Sequence, residues 1–333
     1  MDLQLTEKLV SKWAKENSRL LGLKGANIEA KYIWNPGGFV NQSYRLSDGD
    51  MFLHVKFARE DRAACLKQWA GISGYLTENY NAPRLVHEVT EPVVPGFHYG
   101  LVFEYLNGKP LSPDSNPEPV VDKVLHLLKQ LHRDEQIRHM IADGEAHTYS
   151  EAFAEEYITR FEEDMETIRS GRHMLDFVEA RTLDWFDAEI ESLRETVSEM
   201  ACFQNQAIDI VHNDLNWQNI LVNDEYHFWI IDWDDLSVSG DAAMDYSVFL
   251  WPLYGTKEWP AYKEQLIRLA GEETFERMEL YFRAKLLDDV IDVLADYVEA
   301  ESMPDVKEAA QKRAKEIHLR AYPEYIRRYG SRG

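Results

Sequence analysis

The chain has 333 residues, 45% hydrophobic and 29% charged, a globular composition long enough for two lobes, since single cores stop growing near ~250–300 residues. Its two cysteines, Cys65 and Cys202, have no Cys-x-x-Cys or Cys/His spacing, which argues against a zinc module or disulfide framework and fits a reducing compartment. Thirty-six basic against 59 acidic residues leave a formal charge of −23, a field that repels nucleic acid, favours cationic partners and also serves solubility.

Residues 5 to 21, with Leu5, Leu9, Val10, Trp13, Leu20 and Leu21 at helical spacing, read as an amphipathic helix. The opening MDLQLTEKLV has no basic region ahead of an apolar core, and no apolar run approaches the ~20 residues of a membrane span. A cytoplasmic protein without a membrane span is therefore expected. The runs 28 to 34, 39 to 46 and 51 to 57 alternate or are aromatic-rich, with turns at Asn35-Pro36-Gly37-Gly38 and Ser47-Asp48-Gly49-Asp50, which predicts an antiparallel meander. A helix over 60 to 79 and strands at 84 to 86 and 98 to 105 complete a small N-terminal sheet lobe, residues 1–106. Residues 107–333 read as mostly helical. VVDKVLHLLKQLH, SEAFAEEYITRFEEDMETI and DWFDAEIESLRETVSEM are long helical segments. Short apolar runs at 208 to 211, 220 to 222 and 227 to 232 form a hairpin region, and helices follow at 241 to 251, 260 to 269, 273 to 300 and 304 to 318. From Pro304 onward the charge sign reverses, with eight basic against four acidic residues.

The densest group of reactive side chains is Ile210-Val211-His212-Asn213-Asp214-Leu215-Asn216-Trp217-Gln218-Asn219-Ile220-Leu221, followed by Ile230-Ile231-Asp232-Trp233-Asp234. An Asp on a loop after a buried strand can accept a hydroxyl proton. Asn219 and Asp232 can bring an amide oxygen and a carboxylate to one Mg2+, a hard cation that prefers oxygen ligands. His212 would brace the loop.

H-x-D-x-x-x-x-N followed by an apolar-Asp pair is the kinase-like catalytic and metal loop. In the form I-D-W-D, trailed by Gly240-Asp241 and Asp245, it resembles the aminoglycoside phosphotransferase and choline kinase superfamily. The resemblance spans about Trp34 to Tyr297. It implies an α+β, bilobal protein-kinase-like fold with a small antiparallel-sheet N-lobe and a mostly helical C-lobe, and ATP (or GTP) with Mg2+ as cofactors. It also implies Asp214 as catalytic base, Asn219 and Asp232 as metal ligands, and Asp234 near a second metal or the substrate hydroxyl. For Asp245 a structural, loop-anchoring role is the simpler reading. Asn213 stands where aminoglycoside kinases often have Gly, and Asn216-Trp217-Gln218 replaces His-Pro-Gly, whereas His212-Asn213-Asp214 is similar to choline and ethanolamine kinases.

The same resemblance gives the upstream sheet its roles. Gly38, in Gly37-Gly38-Phe39-Val40-Asn41, would approach phosphates through its backbone. Lys56, sharing a strand face with His54, would hold the alpha and beta phosphates. Its usual partner is a Glu on the next helix. Glu60 is the candidate, because the positions aligned by the downstream residues carry Gln68 or Trp69. The segment Leu101 to Leu111 resembles the hinge, where backbone groups between Glu104 and Leu106 would meet the purine.

Acids at 151 to 166, and Asp288, Asp292 and Asp296 repeating every four residues, read either as a solvated face or as a pocket for a polyamine or aminoglycoside. Trp217, Trp233, Trp251, Tyr254 and Trp259 read as packing or as a cage for a quaternary amine, with Trp217 the residue most suited to face substrate. The expected reaction moves the gamma phosphoryl group to a hydroxyl of a small amine-bearing molecule. An aminoglycoside-like antibiotic is the first choice and choline, ethanolamine or another metabolite the alternative. A non-catalytic kinase-like binding or coat protein is the reading of a different class. No obligate protein partner is implied.

Overall fold

A computed structural model of the chain describes residues 3–25, 27–33, 41–141, 147–302 and 307–330. The backbone groups into two compact units, Met1–Ala142 with His212–Ser237, and Asp143–Val211 with Val238–Gly333. The hairpin region expected among the helices therefore belongs, from His212, with the N-terminal sheet.

In the first unit, α1 (Leu3–Glu16) and the short α2 (Ser18–Leu21) precede strands β1 (Glu29–Ile33), β2 (Asn41–Ser47) and β3 (Phe52–Ala58). Then come α3 (Ala63–Tyr80), β4 (Leu85–Val89) and β5 (Tyr99–Glu104), and the five strands form an antiparallel sheet in the order β1-β2-β3-β5-β4. The period-two pattern of β3 explains the layering. Leu53, Val55 and Phe57 enter a core with Val10, Trp13 and Ala14 of α1 and with Tyr44, Leu46 and Val102. The opposite face carries His54 and Lys56 toward Trp69 of α3 and Phe103 of β5. β3 is central, with Lys56 opposite Ser43 on one side and Leu101 on the other, so the lysine is not on a sheet edge.

α3 buries Leu66, Trp69, Ile72, Leu76 and Tyr80, a stripe at three- and four-residue spacing. It stops at Asn81, whose left-handed φ of 54° an asparagine tolerates. The Asn81 carbonyl then accepts a hydrogen bond from Ile230 N at 3.1 Å. Strand β6 (Lys109–Pro110), α4 (Glu118–Leu131) and α5 (Glu135–Met140) follow.

The second unit opens with α6 (Tyr149–Phe153), which runs through a π-helical turn, Ala154–Thr159, into α7 (Arg160–Ser170), and α8 (Ala180–Glu199) comes next. β7 (Asp209–Val211) leads back to the first unit, where β8 (Ile220–Val222) and β9 (Phe228–Ile230) form a hairpin that adds to β6. β10 (Ser237–Gly240) pairs with β7. Gly240 allows the close approach, since a Cβ there would meet Val211 Cγ2 at 2.0 Å.

The rest of this unit is helical: α9 (Ala242–Leu250), α10 (Trp259–Ala270), α11 (Glu272–Glu299) and α12 (Lys307–Tyr329). Arg277 of α11 is buried and forks onto Asp241, at 2.9 and 3.0 Å, the residue that also caps α9 through Ala243 N. That capping role falls to Asp241, while Asp245 is fully buried one turn inside α9.

Sequence pattern predicts a last helix over 304 to 318; its start lies outside the described residues, and α12 runs on to Tyr329 through Pro323. Tertiary packing overrides the proline. Ala314, His318, Ala321 and Tyr325 are buried, and His318 Nδ1 bonds Val290 O at 2.8 Å while Arg283 Nε donates to Tyr325 Oη at 2.9 Å. The falling and rising numbers of those pairs make α12 antiparallel to α11. Among the described residues no helix is long and apolar enough to cross a membrane.

Candidate active site

The loop after β7 is shaped by two short polar residues in left-handed backbone, Asn213 at φ 69° and, after β9, Asp232 at φ 70°. Asn and Asp tolerate this region best among residues with a Cβ, and such strain clusters at functional sites. Asn213 Nδ2 donates to Asp235 O at 2.7 Å, which joins the two loops. His212 is fully buried and lies with its ring 4.7 Å from that of Trp233. Its Nδ1 accepts from Asp214 N at 3.3 Å, so its Nε2 is the donor toward Ile231 O at 3.1 Å. The histidine therefore braces both loops.

Asp214 itself is exposed. Each of its carboxylate oxygens is oriented, Oδ1 by Asn216 Nδ2 at 2.7 Å and Oδ2 by Asn219 Nδ2 at 2.9 Å. Asn216 also caps the turn Trp217–Asn219 by accepting from Gln218 N at 2.8 Å. Asn219 gives a second hydrogen bond to Asp214 O at 2.8 Å, so both amide contacts aim its nitrogen at Asp214 and leave its amide oxygen as the group it can offer a cation.

Lys56 brings the second cluster together. Its ammonium, on a side chain 8% exposed, ion-pairs with Asp232 and, at 2.8 Å, with Asp234. Asn41 Nδ2 donates to the other oxygen of Asp234 at 3.0 Å. Burial would raise both carboxyls. For Asp232 the Lys56 charge outweighs it and holds the group below its ordinary range, despite the raising influence of nearby Asp214. Asp234, more deeply buried and beside the Asp232 charge, is pushed up. Burial works against the charged lysine too, but the two carboxylates raise its pKa. Burial and the neighbouring Lys56 charge push His54 down to about 4. Two carboxylates driven apart around one cation are a recurrent mark of reactive sites.

These side chains fit a hard divalent cation. Asp232 and Asp234 already enclose a positive charge, and Asn219 adds an oxygen. Mg2+ is usually bound by one or two carboxylates together with substrate phosphates.

The other expected site residues fall as follows. Glu60 is exposed in the turn Glu60–Arg62, and among the described residues no ion pair joins it to Lys56. Glu104 ends β5 opposite Leu53, and its carboxylate accepts from Arg84 N at 2.9 Å, while Leu106 is half-buried just beyond. Trp217 is buried, at 4% exposure. Gly38 lies outside the described residues. Asn41, Asn216, Arg62, which pairs with Asp235, and Gln68, whose Nε2 donates to Leu236 O at 2.7 Å, belong to the site without standing out in the sequence. Their partners are distant along the chain, apart from Asn216, whose place inside the motif was the available signal.

The sequence model of the phosphotransferase enzyme family matches residues 34–281, a span that includes both loops and Lys56. The chain belongs to this family. The phosphotransferase is a small-molecule kinase with a hydroxyl acceptor, and its fold is the kinase-like α+β fold expected above. No curated protein matches it significantly in sequence. Among solved structures it resembles APH(2")-IIia in complex with GDP and kanamycin, at 12% identity and a TM-score of 0.64 over 94% of this chain and 99% of that one. It also resembles a spectinomycin phosphotransferase with ADP and spectinomycin, at 13% identity and 0.53 over 88% and 93%. A choline kinase from Streptococcus pneumoniae matches at 18% and 0.53 over 94% and 99%.

The carboxylates singled out as acceptor groups, with Trp251, Tyr254 and Trp259, belong to the second unit, whereas Trp217 and Trp233 belong to the first. Arg160 of α7 bonds Asp288 at 2.9 Å and approaches Asp292 at 3.9 Å, and Lys285 bonds Asp288 at 2.7 Å. Burial and neighbouring carboxylates raise Asp164 to about 6 and Asp292 to about 7. Tyr254 stacks on Phe282 at 3.9 Å, with Trp251 and Trp259 against both, and the Arg328 guanidinium lies 4.8 Å over the Tyr254 ring. That cluster is closed by its own members and a cation from α12.

Proposed function

We propose that the protein transfers the gamma phosphoryl group of ATP or GTP to a hydroxyl of a small amine-bearing acceptor, an aminoglycoside-like molecule first. The observation that carries this reading is the exposed Asp214 carboxylate, both oxygens oriented by asparagines, beside the Lys56–Asp232–Asp234 cluster. Asp214 accepts the acceptor's proton as its oxygen attacks the gamma phosphorus and the bond to the leaving nucleoside diphosphate breaks. Asn219 and Asp232 are the residues that would hold Mg2+, and Asp234 would serve a second cation or the acceptor hydroxyl. When bound, the cation neutralises charge developing on the phosphates. Lys56 would meet the alpha and beta phosphates, and backbone between Glu104 and Leu106 would meet the purine. The sheet lobe is read as ending near residue 106.

The acceptor preference rests on the family and on solved structures of similar fold that hold kanamycin or spectinomycin. The aromatic cluster around Tyr254 is already packed against Arg328, which supports choline or ethanolamine less.

The test is Mg- and nucleotide-dependent release of ADP or GDP across aminoglycosides, aminocyclitols, choline and ethanolamine, with Asp214→Ala as control. One acceptor should stimulate release in the wild type, and the variant should be slower by about 10²- to 10⁴-fold with nucleotide affinity unchanged. Equal turnover in the variant removes Asp214 as base. Absence of both turnover and nucleotide binding would favour a non-catalytic binding protein.

A further inference from the structure

Helix α3 offers Lys56 no carboxylate. Its sole acid is Glu78, in the last turn, and the residue of this helix beside the lysine is Trp69. The Trp69 ring, stacked on Phe103 at 4.5 Å, lies 5.8 Å from the ammonium. α3 nevertheless reaches the carboxylates that do hold Lys56, by way of the segment carrying them. Gln68 Nε2 donates to the main-chain oxygen of Leu236 at 2.7 Å, and Arg62, just ahead of α3, pairs with Asp235. Both contacts fall on the short turn Trp233–Asp235 and its exit, and Asp232 is the left-handed residue at its entrance.

We propose that Gln68 is a positioning residue, whose hydrogen bond to the Leu236 carbonyl fixes this turn against α3 and thereby sets the Asp232 and Asp234 carboxylates. The helix-to-lysine ion pair is replaced by a helix-to-backbone hydrogen bond. The chemistry at position 68 is then the opposite of an acid's. An amide must donate to a carbonyl, whereas a carboxylate has nothing to donate and meets the carbonyl oxygen with like charge. If Gln68 were only a neutral substitute for an acid paired with Lys56, glutamate would improve the site. As a tether it must carry a donor, which glutamine has and glutamate lacks.

The consequence for nucleotide binding rests on the reading of Asp232 as a metal-holding carboxylate, but the tether is a property of the nucleotide-free protein and is measurable there. The full chain is compared with Gln68→Glu, which is isosteric, and Gln68→Met, which removes the donor without adding charge. In nucleotide-free protein, hydrogen exchange over residues 232 to 238 should quicken by about fivefold or more in both variants, with β1 and β2 unchanged. Calorimetry with Mg-ATP and Mg-GTP should show affinity reduced by about three- to tenfold in both. KM for nucleotide should rise more than kcat falls. Tighter binding by Gln68→Glu, or unchanged exchange in both variants, overturns the proposal. Faster exchange in a protein whose wild type takes no Mg-nucleotide upholds the tether and removes the metal-holding reading of Asp232.

Discussion

At the scale of single residues the site is an arrangement of charge held by backbone geometry. Asp232 combines two properties that are separable by mutation, a carboxylate on Lys56 and a left-handed backbone. Asp232→Asn keeps the backbone tolerance and removes the charge, whereas Asp232→Ala adds about 1 kcal/mol of strain. Both variants should lose Mg-nucleotide affinity by about tenfold or more. Only the alanine should also lower the melting temperature through backbone strain. Calorimetry with and without Mg2+ checks the assignment, since equal metal-free affinity with a collapsed metal-dependent gain is the expected pattern. Asp214, Asn219 and Asp232 were legible in the sequence because their spacing along one loop and one strand is fixed by local geometry. Gln68, Arg62 and Asn41 were not, because each is defined by a partner more than a hundred residues away, and a Gln on a helix face has no periodic signature. Sequence order points to the next helix for a partner of Lys56, whereas topology supplies Asp232 and Asp234 from beyond residue 230.

At the scale of elements, alternation and helical spacing delivered the meander, α3, the long helices and the hairpin, since each buries one face or stripe. Pro323 marks where pattern stops short. Breaking α12 at that point would uncover Tyr325, which is fully buried, and the helix accepts the missing hydrogen bond instead. The crossing of β7 and β10 is a tighter constraint. Gly240→Ala should destabilise the protein by about 1–3 kcal/mol, because the added methyl overlaps Val211, the residue before His212. Urea unfolding of Gly240→Ala alone and with Val211→Ala tests this; the second change should recover part of the loss, and additive losses would place the strain elsewhere.

At the scale of the whole molecule the charge reversal from Pro304 onward has a structural use. Asp289 and Asp296 of α11 are attracted by Arg320 and Arg313 of α12, matching seven-residue steps on antiparallel helices, while Arg160 of α7 attends Asp288 and Asp292. Compensation is incomplete at Asp292, raised to about 7 by burial and by Asp288, Asp296 and Asp164. A carboxyl raised in the folded state binds its proton more tightly there, so its favourable contribution is complete below its ordinary range and is lost as pH climbs from about 4 to about 7. Asp292→Asn should therefore flatten the decline in melting temperature across that window and raise it at pH 8 by about 1–3 °C. An unchanged slope by scanning calorimetry would assign the titration to another group.

The interleaved course of the first unit also governs the order of its birth on the ribosome. Residues 1–142 emerge with Lys56 but without Asp232 and Asp234, and with β6 lacking β8. About seventy residues of the second unit must be translated before the missing pieces appear. A buried ammonium with no counter-ion costs several kcal/mol, so the nascent sheet would remain open on that face until residue 237 has emerged. The Lys56–Asp232–Asp234 cluster is thus completed by nearly the last step of its own unit's synthesis.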